Sequence, residues 1–272
     1  MTMEWWQAAI LAIIQGLTEF LPVSSSGHLV LVPRLLGWQD QGLAFDVAVH
    51  VGTLLAVLVY FRRDLVPLVR GFFAFVGGER RDPYARLAIN LVVATIPVGV
   101  VGLFFNDYIE AHLRSPFVVA FQLALFGIVL YVVDRTARRD RDENSLGLGQ
   151  ALLIGCGQAL ALVPGTSRSG ITMTMGLLTG LTREAAARFA FLLSMPGIIL
   201  AGGYESYKFA SGLSSTAVPV AEILIGVGVS ALVGYACIAW FLRAIARIGF
   251  LPFTLYRLAL AAFIVVMFST GS

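Results

Sequence analysis

Charge is scarce in this chain. Asp, Glu, Lys and Arg make up 13% of its 272 residues, about half the roughly 25% typical of soluble domains. Apolar residues make up 58%, and mean hydropathy is +0.85. An ordinary soluble globular domain is therefore excluded. Cysteine is nearly missing: Cys156 and Cys237 both sit in apolar stretches and read as small hydrophobes. They exclude a disulfide framework and a thiolate metal site. Histidine occurs three times and never after His112. The start, Met1-Thr2-Met3-Glu4, lacks a basic n-region, and no small-residue cleavage site follows, so a cleavable signal peptide is not expected. The pI near 9.1 would suit a nucleic-acid binder. The basic residues, however, sit in loops between apolar segments, which is topology signalling, and no nucleic-acid partner is expected.

Long hydrophobic runs fill the chain. Six windows are long enough to cross about 30 Å of hydrocarbon, which takes roughly 20 helical residues. They are Phe45–Phe61, Leu87–Phe105, Phe117–Val133, Ala186–Tyr204, Val218–Leu242 and Leu251–Phe268. Backbone polar groups in lipid are satisfied only in helices or closed barrels. Barrel strands would alternate over about ten residues, whereas these runs are continuous. The expected class is an all-α polytopic membrane protein. Trp5, Trp6, Trp38 and Trp240 suit interfacial anchors.

Two further apolar segments are broken, and the breaks resemble each other. Leu21-Pro22-Val23-Ser24-Ser25-Ser26-Gly27-His28 and Val163-Pro164-Gly165-Thr166-Ser167-Arg168-Ser169-Gly170 lie 142 residues apart, proline to proline. The likeness continues: Leu36-Gly37 matches Thr179-Gly180 at an offset of 143, Phe45 matches Phe189 at 144, and Gly52–Ala56 matches Gly197–Ala201 at 145. The broken segments, Trp6–Leu36 and Leu148–Leu178, consist of halves of about 15 residues, too short to span at 1.5 Å per residue. Each reads as a re-entrant helical hairpin. Three crossings per half make the second half an inverted-topology repeat of the first. The expected architecture is thus two re-entrant hairpins plus about six transmembrane helices. The single membrane domain divides into repeat one (1–134), a charged cytoplasmic linker (135–147) and repeat two (148–272). With the loop after Phe61 inside, fourteen basic residues lie in inside loops. Only Arg34, Arg114 and Lys208 lie outside, and Arg168 and Arg257 fall within segments. That asymmetry supports six crossings. Phe72–Val76 fits either an interfacial helix or a loop.

Pro/Gly-broken segments at matching places in two halves point to a binding site at membrane depth, and ionisable residues there are functional candidates. Glu19 lies in an apolar run three residues before Pro22, as a metal ligand, a general base or a partner in an ion pair. Gln15, one turn earlier, could offer a carbonyl oxygen to a hard cation such as Mg²⁺. His28 follows Ser24, Ser25 and Ser26; its imidazole suits proton transfer near neutrality. The serines are nucleophile candidates or caps. Arg168 suits bidentate phosphate binding, and the surrounding Gly165, Thr166, Ser167 and Ser169 form a nest-like anion site before a helix N-terminus, with Thr172 one turn on. An ion pair between Arg168 and Glu19 is compatible with that reading. Asp46 and His50, spaced i, i+4 at the start of a membrane helix, either contact the site or sit at the membrane interface, the interface being slightly favoured. His112 falls in a loop and is given no role.

The motifs then resemble a known family. Gln15–His28 looks like an (E/Q)xxxE element running into PVSS-x-GH, and Pro164–Thr172 looks like PGxSRSxxT. Phe250-Leu251-Pro252-Phe253, with Arg257 four residues on, extends the likeness. The chain resembles the bacterial undecaprenyl-diphosphate phosphatases, also called bacitracin-resistance proteins, over nearly its full length. The resemblance implies hydrolysis of a polyprenyl diphosphate to the monophosphate and phosphate, recycling a lipid carrier for cell-wall synthesis. It also implies a divalent cation (Mg²⁺ or Ca²⁺), residence in the bacterial inner membrane and a site open to the periplasm. Carried over by motif, Glu19 and Gln15 belong to the metal or acid/base group, and Ser25 and His28 lie at the reacting phosphorus. Arg168, Ser167 and Thr172 hold the diphosphate. Gln15 stands where many members have Glu, which weakens any scheme with two carboxylates on the metal.

Two alternatives are carried beside it. A transporter or flippase of an anionic lipid or small anion would use the same inverted-repeat build. The unrelated lipid-phosphatase superfamily shares a Ser-Gly-His element but needs a further acid-paired histidine, which this chain lacks. Whether Ser or His attacks phosphorus, and whether the chain forms a homodimer, stays open at this point.

Overall fold

The computed structural model describes residues 3–79, 82–210 and 218–269. They form eleven α-helices: α1 (Trp5–Thr18), α2 (Ser25–Leu36), α3 (Gly42–Tyr60), α4 (Arg62–Val76), α5 (Pro83–His112), α6 (Pro116–Thr136), α7 (Leu148–Leu160), α8 (Arg168–Leu178), α9 (Arg183–Ala210), α10 (Val220–Ile248) and α11 (Leu251–Ser269). No β-strand occurs among the described residues; one isolated bridge joins Arg141 to Leu181. Arg80 and Arg81, counted with the loop charges, lie outside the described residues.

Five helices, α3, α5, α6, α10 and α11, are long and apolar enough to cross a membrane. Each carries exposed apolar side chains as well as buried ones, Leu103, Phe104 and Leu232 among them. Helices apolar all round belong in lipid or a large core. The sixth expected segment, Ala186–Tyr204, lies inside α9, whose backbone runs as helix through Ala210 and so takes in Lys208 as well. Local chemistry starts the long helices. The side chain of Asp82 accepts from Tyr84 N, and that of Ser115 from Val118 N. Each is followed by a proline at the first helical position, where a missing N–H costs nothing.

Helix α4 settles the choice left at Phe72–Val76: it is helical. Val66, Val69, Phe73 and Val76 form an exposed apolar stripe at helical spacing. Its other side packs on α5 through Gly71, where a Cβ would meet the backbone of Tyr84.

The two halves interlock. Helix α1 packs on α10, with Gly16 against Ser230 O and Gly234 N; a Cβ there would sit 3.0 Å from each. Helix α7 packs on α5 by the same device, with Gly155 against Ala94. Close backbone approach through small residues is how helices associate where lipid removes the hydrophobic drive between them. Each half thus lodges its first helix against a long helix of the other half.

Charges at and beside the linker are paired across helices. Asp134, in the last turn of α6, is buried and accepts from Arg183 Nε (2.6 Å) and Nη2 (2.8 Å), tying α6 to the start of α9. Arg188 pairs with Asp64 (2.5 Å) and with Glu143 (2.7 Å). The Asp134 knot is buried enough that losing its cationic partner would be costly, whereas the Arg188 knot is partly exposed.

Candidate active site

Both broken segments are helix, break, helix. The first break runs from 19 to 24, between α1 and α2; the second runs from 161 to 167, between α7 and α8. Pro22 in the first break and Pro164-Gly165 in the second keep the preceding helix from continuing, and the side chain of Ser167, unlike that of Ser24, caps the helix that follows. Ser24 and Ser167 are the N-caps of α2 and α8. They are also the two non-glycine residues with positive φ among the described residues, at 73° and 70°. Non-glycine residues are rare in that region and concentrate at sites where the surroundings enforce them. Ser167 Oγ accepts from Gly170 N at 3.2 Å.

The breaks touch. A salt bridge joins Arg168 Nη2 to Glu19 Oε1, across 149 residues of sequence. Ser169 Oγ donates to Leu21 O at 2.9 Å. Glu19 is buried, and its other oxygen, Oε2, accepts from Ser25 Oγ (2.6 Å) and from Gln15 Nε2 (3.0 Å). Arg168 Nη1 donates to Ser194 O on α9 at 3.1 Å. One carboxylate thus gathers a guanidinium from one half and a hydroxyl and an amide from the other.

A cavity of about 300 Å³ opens beside this cluster, at the lower end of ligand pockets. Glu19, Ser24, Ser25, Ser26, Asp46, His50, Gln158, Ser167 and Arg168 supply its polar lining. Leu43, Val47, Val98, Leu162 and Ile198 supply apolar wall. The first turns of α2 and α8 both border it, so two helix N-termini, each with partial positive charge, face one space.

The sequence candidates divide on this geometry. Glu19, Ser24, Ser25, Ser26, Ser167 and Arg168 line the cavity. Gln15 stands behind Glu19, with its own Oε1 buried and without a hydrogen bond. Gly165, Thr166, Ser169 and Thr172 lie off the cavity. Gly165 has φ +95° and presses against Val119 O, where a Cβ would come within 2.5 Å. Thr166 is fully buried, and Thr172 Oγ1 returns to Arg168 O (2.7 Å) and Ser169 O (3.1 Å) inside its own helix. These four shape the second break.

His28 is also off the cavity. Its Nδ1 donates to Ser24 O (2.7 Å), leaving Nε2 of the neutral ring to accept from the hydroxyl of Tyr256 (2.6 Å), on whose ring it stacks. Nδ1 thus holds Ser24, and Nε2 is taken up by Tyr256. The imidazole at the site is that of His50, which sequence spacing left between the site and the interface. His50 lines the cavity with Nε2 3.6 Å from Glu19 Oε2, and its Nδ1 donates to Asp46 O (2.7 Å). Asp46 lines the cavity too and accepts from Gln41 Nε2 at 2.8 Å. The signal was available in the repeat: at the offset that pairs Phe45 with Phe189, His50 pairs with Ser194, which holds Arg168. The second residue missed is Arg257. It was counted among segment residues and given no task, yet it is wholly buried against both breaks.

Chemically the arrangement offers a serine hydroxyl bonded to a carboxylate, the nucleophile–base pairing of covalent catalysis. A guanidinium and two helix N-termini stand ready for an anion. Among the described residues no three His, Cys, Asp or Glu side chains gather as a ready metal cage.

The profile described as bacitracin resistance protein BacA matches residues 8–263. A Stutzerimonas stutzeri (strain A1501) protein named undecaprenyl-diphosphatase 2 is 52% identical over 270 residues, covering 98% of this chain and 99% of its own. A Teredinibacter turnerae protein named undecaprenyl-diphosphatase is 50% identical over 264 residues, covering 97% and 99%. One of the same name from Campylobacter concisus is 48% identical over 266 residues, covering 98% and 100%.

Proposed function

Because the chain belongs to the bacitracin resistance protein BacA family, and so hydrolyses undecaprenyl diphosphate to undecaprenyl phosphate and phosphate, we propose that the cavity between the two breaks is where that reaction occurs. The observation that carries this is the position of Glu19, bonded at once to Arg168 of one half and Ser25 of the other at the cavity wall.

In the resting site Arg168 is neutralised by Glu19. An arriving diphosphate competes for that guanidinium and offers it bidentate phosphate oxygens. Glu19, released on its Oε1 side, takes the proton of Ser25 as Ser25 Oγ attacks the terminal phosphorus. The bond to the bridging oxygen breaks, and undecaprenyl phosphate leaves. Water then attacks the phosphoserine phosphorus, the Ser25 Oγ–P bond breaks, both water protons leave on the phosphate, and Glu19 returns its proton to Ser25 Oγ. Charge on the transferring phosphoryl group is met by Arg168 and the two helix N-termini, so catalysis is mostly positioning and electrostatics. His50 takes the imidazole role beside Glu19, while His28 holds the strained Ser24. The apolar wall from Leu43 to Ile198 suits the first isoprene units of the lipid.

A divalent cation, Mg²⁺ or Ca²⁺, fits these residues in one mode. Hard cations held largely by substrate phosphates and water need only one or two protein carboxylates. Glu19 is that carboxylate, with the unpartnered Gln15 Oε1 behind it as an oxygen donor. When bound, the cation offsets the negative charge of the diphosphate.

On the same reading the broken segments are re-entrant hairpins of two inverted repeats, 1–134 and 148–272, joined by linker 135–147, with the cavity open to the periplasmic face of the inner membrane. Supporting this are the matched positive-φ serines and the reciprocal packing of α1 on α10 and α7 on α5. The transporter or flippase reading has only the fold in its favour, and fold does not decide function. The test is phosphate release from undecaprenyl diphosphate by purified protein with Mg²⁺. Arg168→Ala is expected to lose at least about 100-fold in kcat while eluting as folded protein, the scale of losing one transition-state donor. Release at the unmodified rate in that variant overturns the assignment.

A further inference from the structure

Among the described residues Arg257 is the largest side chain that is fully buried, and none of them gives its guanidinium a carboxylate partner. Its donors go entirely to backbone carbonyls. Nε reaches Leu123 O (2.9 Å), and Nη1 reaches Pro22 O (3.2 Å). Nη2 reaches Gln122 O (3.1 Å), Gly165 O (3.1 Å) and Thr166 O (3.0 Å). Pro22 belongs to the first break, Gly165 and Thr166 to the second, and Gln122 and Leu123 to α6. Three separate stretches of chain therefore meet on one planar group. Room for it comes from two glycines. A Cβ on Gly127 would lie 3.3 Å from Arg257 Cβ and Nε, and one on Gly170 would lie 3.0 Å from Nη1.

We propose that Arg257 is a positioning residue for the hydrolysis: it clamps the two breaks to each other and so fixes Ser25 and Arg168 on opposite sides of one phosphoryl group. The inference rests on the reading that the cavity between the breaks is the active site. Its physical basis is threefold. A buried cation without a counter-ion is costly and persists only where hydrogen bonds satisfy it on every side. Breaks at membrane depth expose carbonyls that no helix uses, and water cannot reach them, so they need donors. A guanidinium presents donors in a rigid fork, which fixes the acceptors at set angles, whereas an ammonium concentrates its three donors at one point. Pro22 O lies three residues from Ser25, and Thr166 O two from Arg168, so a slip of the clamp is passed directly to both groups at the phosphoryl. Misplacement on the order of 1 Å in such a constellation can cost about 100-fold.

The experiment compares Arg257→Lys, Gly127→Ala, Arg168→Ala and Ser25→Ala as purified, monodisperse protein. Each variant is assayed for kcat and KM on undecaprenyl diphosphate and for thermal unfolding. Arg257→Lys keeps the charge and much of the length but cannot span both breaks. It is expected to lose at least about 100-fold in kcat per folded molecule, with KM changed less than about fivefold. Gly127→Ala keeps every donor and only pushes the guanidinium by a few tenths of an ångström. It is expected to lose kcat by a smaller factor, again without a KM change, and it decides the matter if the lysine variant does not fold. A merely structural arginine would lower the unfolding temperature and leave kcat of the folded fraction intact; that result overturns the proposal. So does wild-type kcat in Arg257→Lys, which would mean that charge alone suffices. If Arg168→Ala and Ser25→Ala both stay active, the cavity itself is misassigned, and that failure is read separately from the clamp.

Discussion

Replacing Glu19 by glutamine changes one atom and the charge, and the surroundings allow its cost to be counted. As a carboxylate, Glu19 accepts on both sides: from Arg168 at Oε1, and from Ser25 (2.6 Å) and Gln15 (3.0 Å) at Oε2. An amide has one accepting end and one donating end. If its oxygen faces Arg168, its NH₂ faces the donors Ser25 and Gln15. If its oxygen faces Ser25, its NH₂ faces the guanidinium. In the first orientation Ser25 is turned from donor to acceptor, so its proton is no longer directed at residue 19; in the second the contact with Arg168 is lost. A hydrogen bond to a charged group contributes about 1.5–3 kcal/mol, which at 1.36 kcal/mol per tenfold is roughly a 10- to 150-fold rate effect if it operates in the transition state. Losing the base adds to this, since proton transfer by a positioned side chain contributes about 10²–10⁴-fold. Glu19→Gln should therefore lower kcat by at least about 100-fold. Because Ser25 acts through Glu19, the double variant Glu19→Gln/Ser25→Ala should be little worse than either single one. The assay is phosphate release in detergent, with size-exclusion elution confirming the fold. A loss under about tenfold for Glu19→Gln, or full additivity with Ser25→Ala, would falsify the base–nucleophile pairing.

Three other outcomes are expected. His50→Asn should cost at least about tenfold in kcat, because it removes the imidazole 3.6 Å from Glu19. His28→Asn should keep most activity, since an amide can still donate to Ser24 O as Nδ1 does. The reverse order of the two in a kinetic comparison returns the imidazole role to His28. Gly52→Ala places a methyl group against Ser230 Oγ and Val227 O on α10. Overpacking of this kind costs about 1–3 kcal/mol, so a thermal melt should show clear destabilisation, and an unchanged midpoint removes the close α3–α10 approach.

What was legible in the sequence follows the range over which each signal acts. Helix breaks are local: Pro22 with the following serines, and Pro164-Gly165 with Ser167, specify within a few residues where a helix stops and where the next is capped. The observed α1–α2 and α7–α8 segments accordingly fall within one residue of the expected outer bounds. The pairing of Glu19 with Arg168 was also within reach, because two opposite charges in apolar surroundings each need a partner and few others exist. His28 failed for the opposite reason. Its adjacency to three serines says where its Cα lies, not which way the ring turns, and the ring turns to Tyr256, 228 residues away in sequence. Arg257 and His50 depended on contacts of the same kind. Each sits on a long apolar helix, where a single polar residue gives no sign of which neighbour it faces. Their partners come from two halves that interlock through α1 on α10 and α7 on α5. The internal repeat does carry part of that information. At the offset of 143 that pairs Gly37 with Gly180 it pairs Ser24 with Ser167, which share a strained φ, and at 144 it pairs His50 with Ser194, which flank Glu19 and Arg168 respectively. At these matched positions, a residue's counterpart says more about its surroundings than its sequence neighbours do. The same backbone geometry then presents chemistry at one position and support at the other.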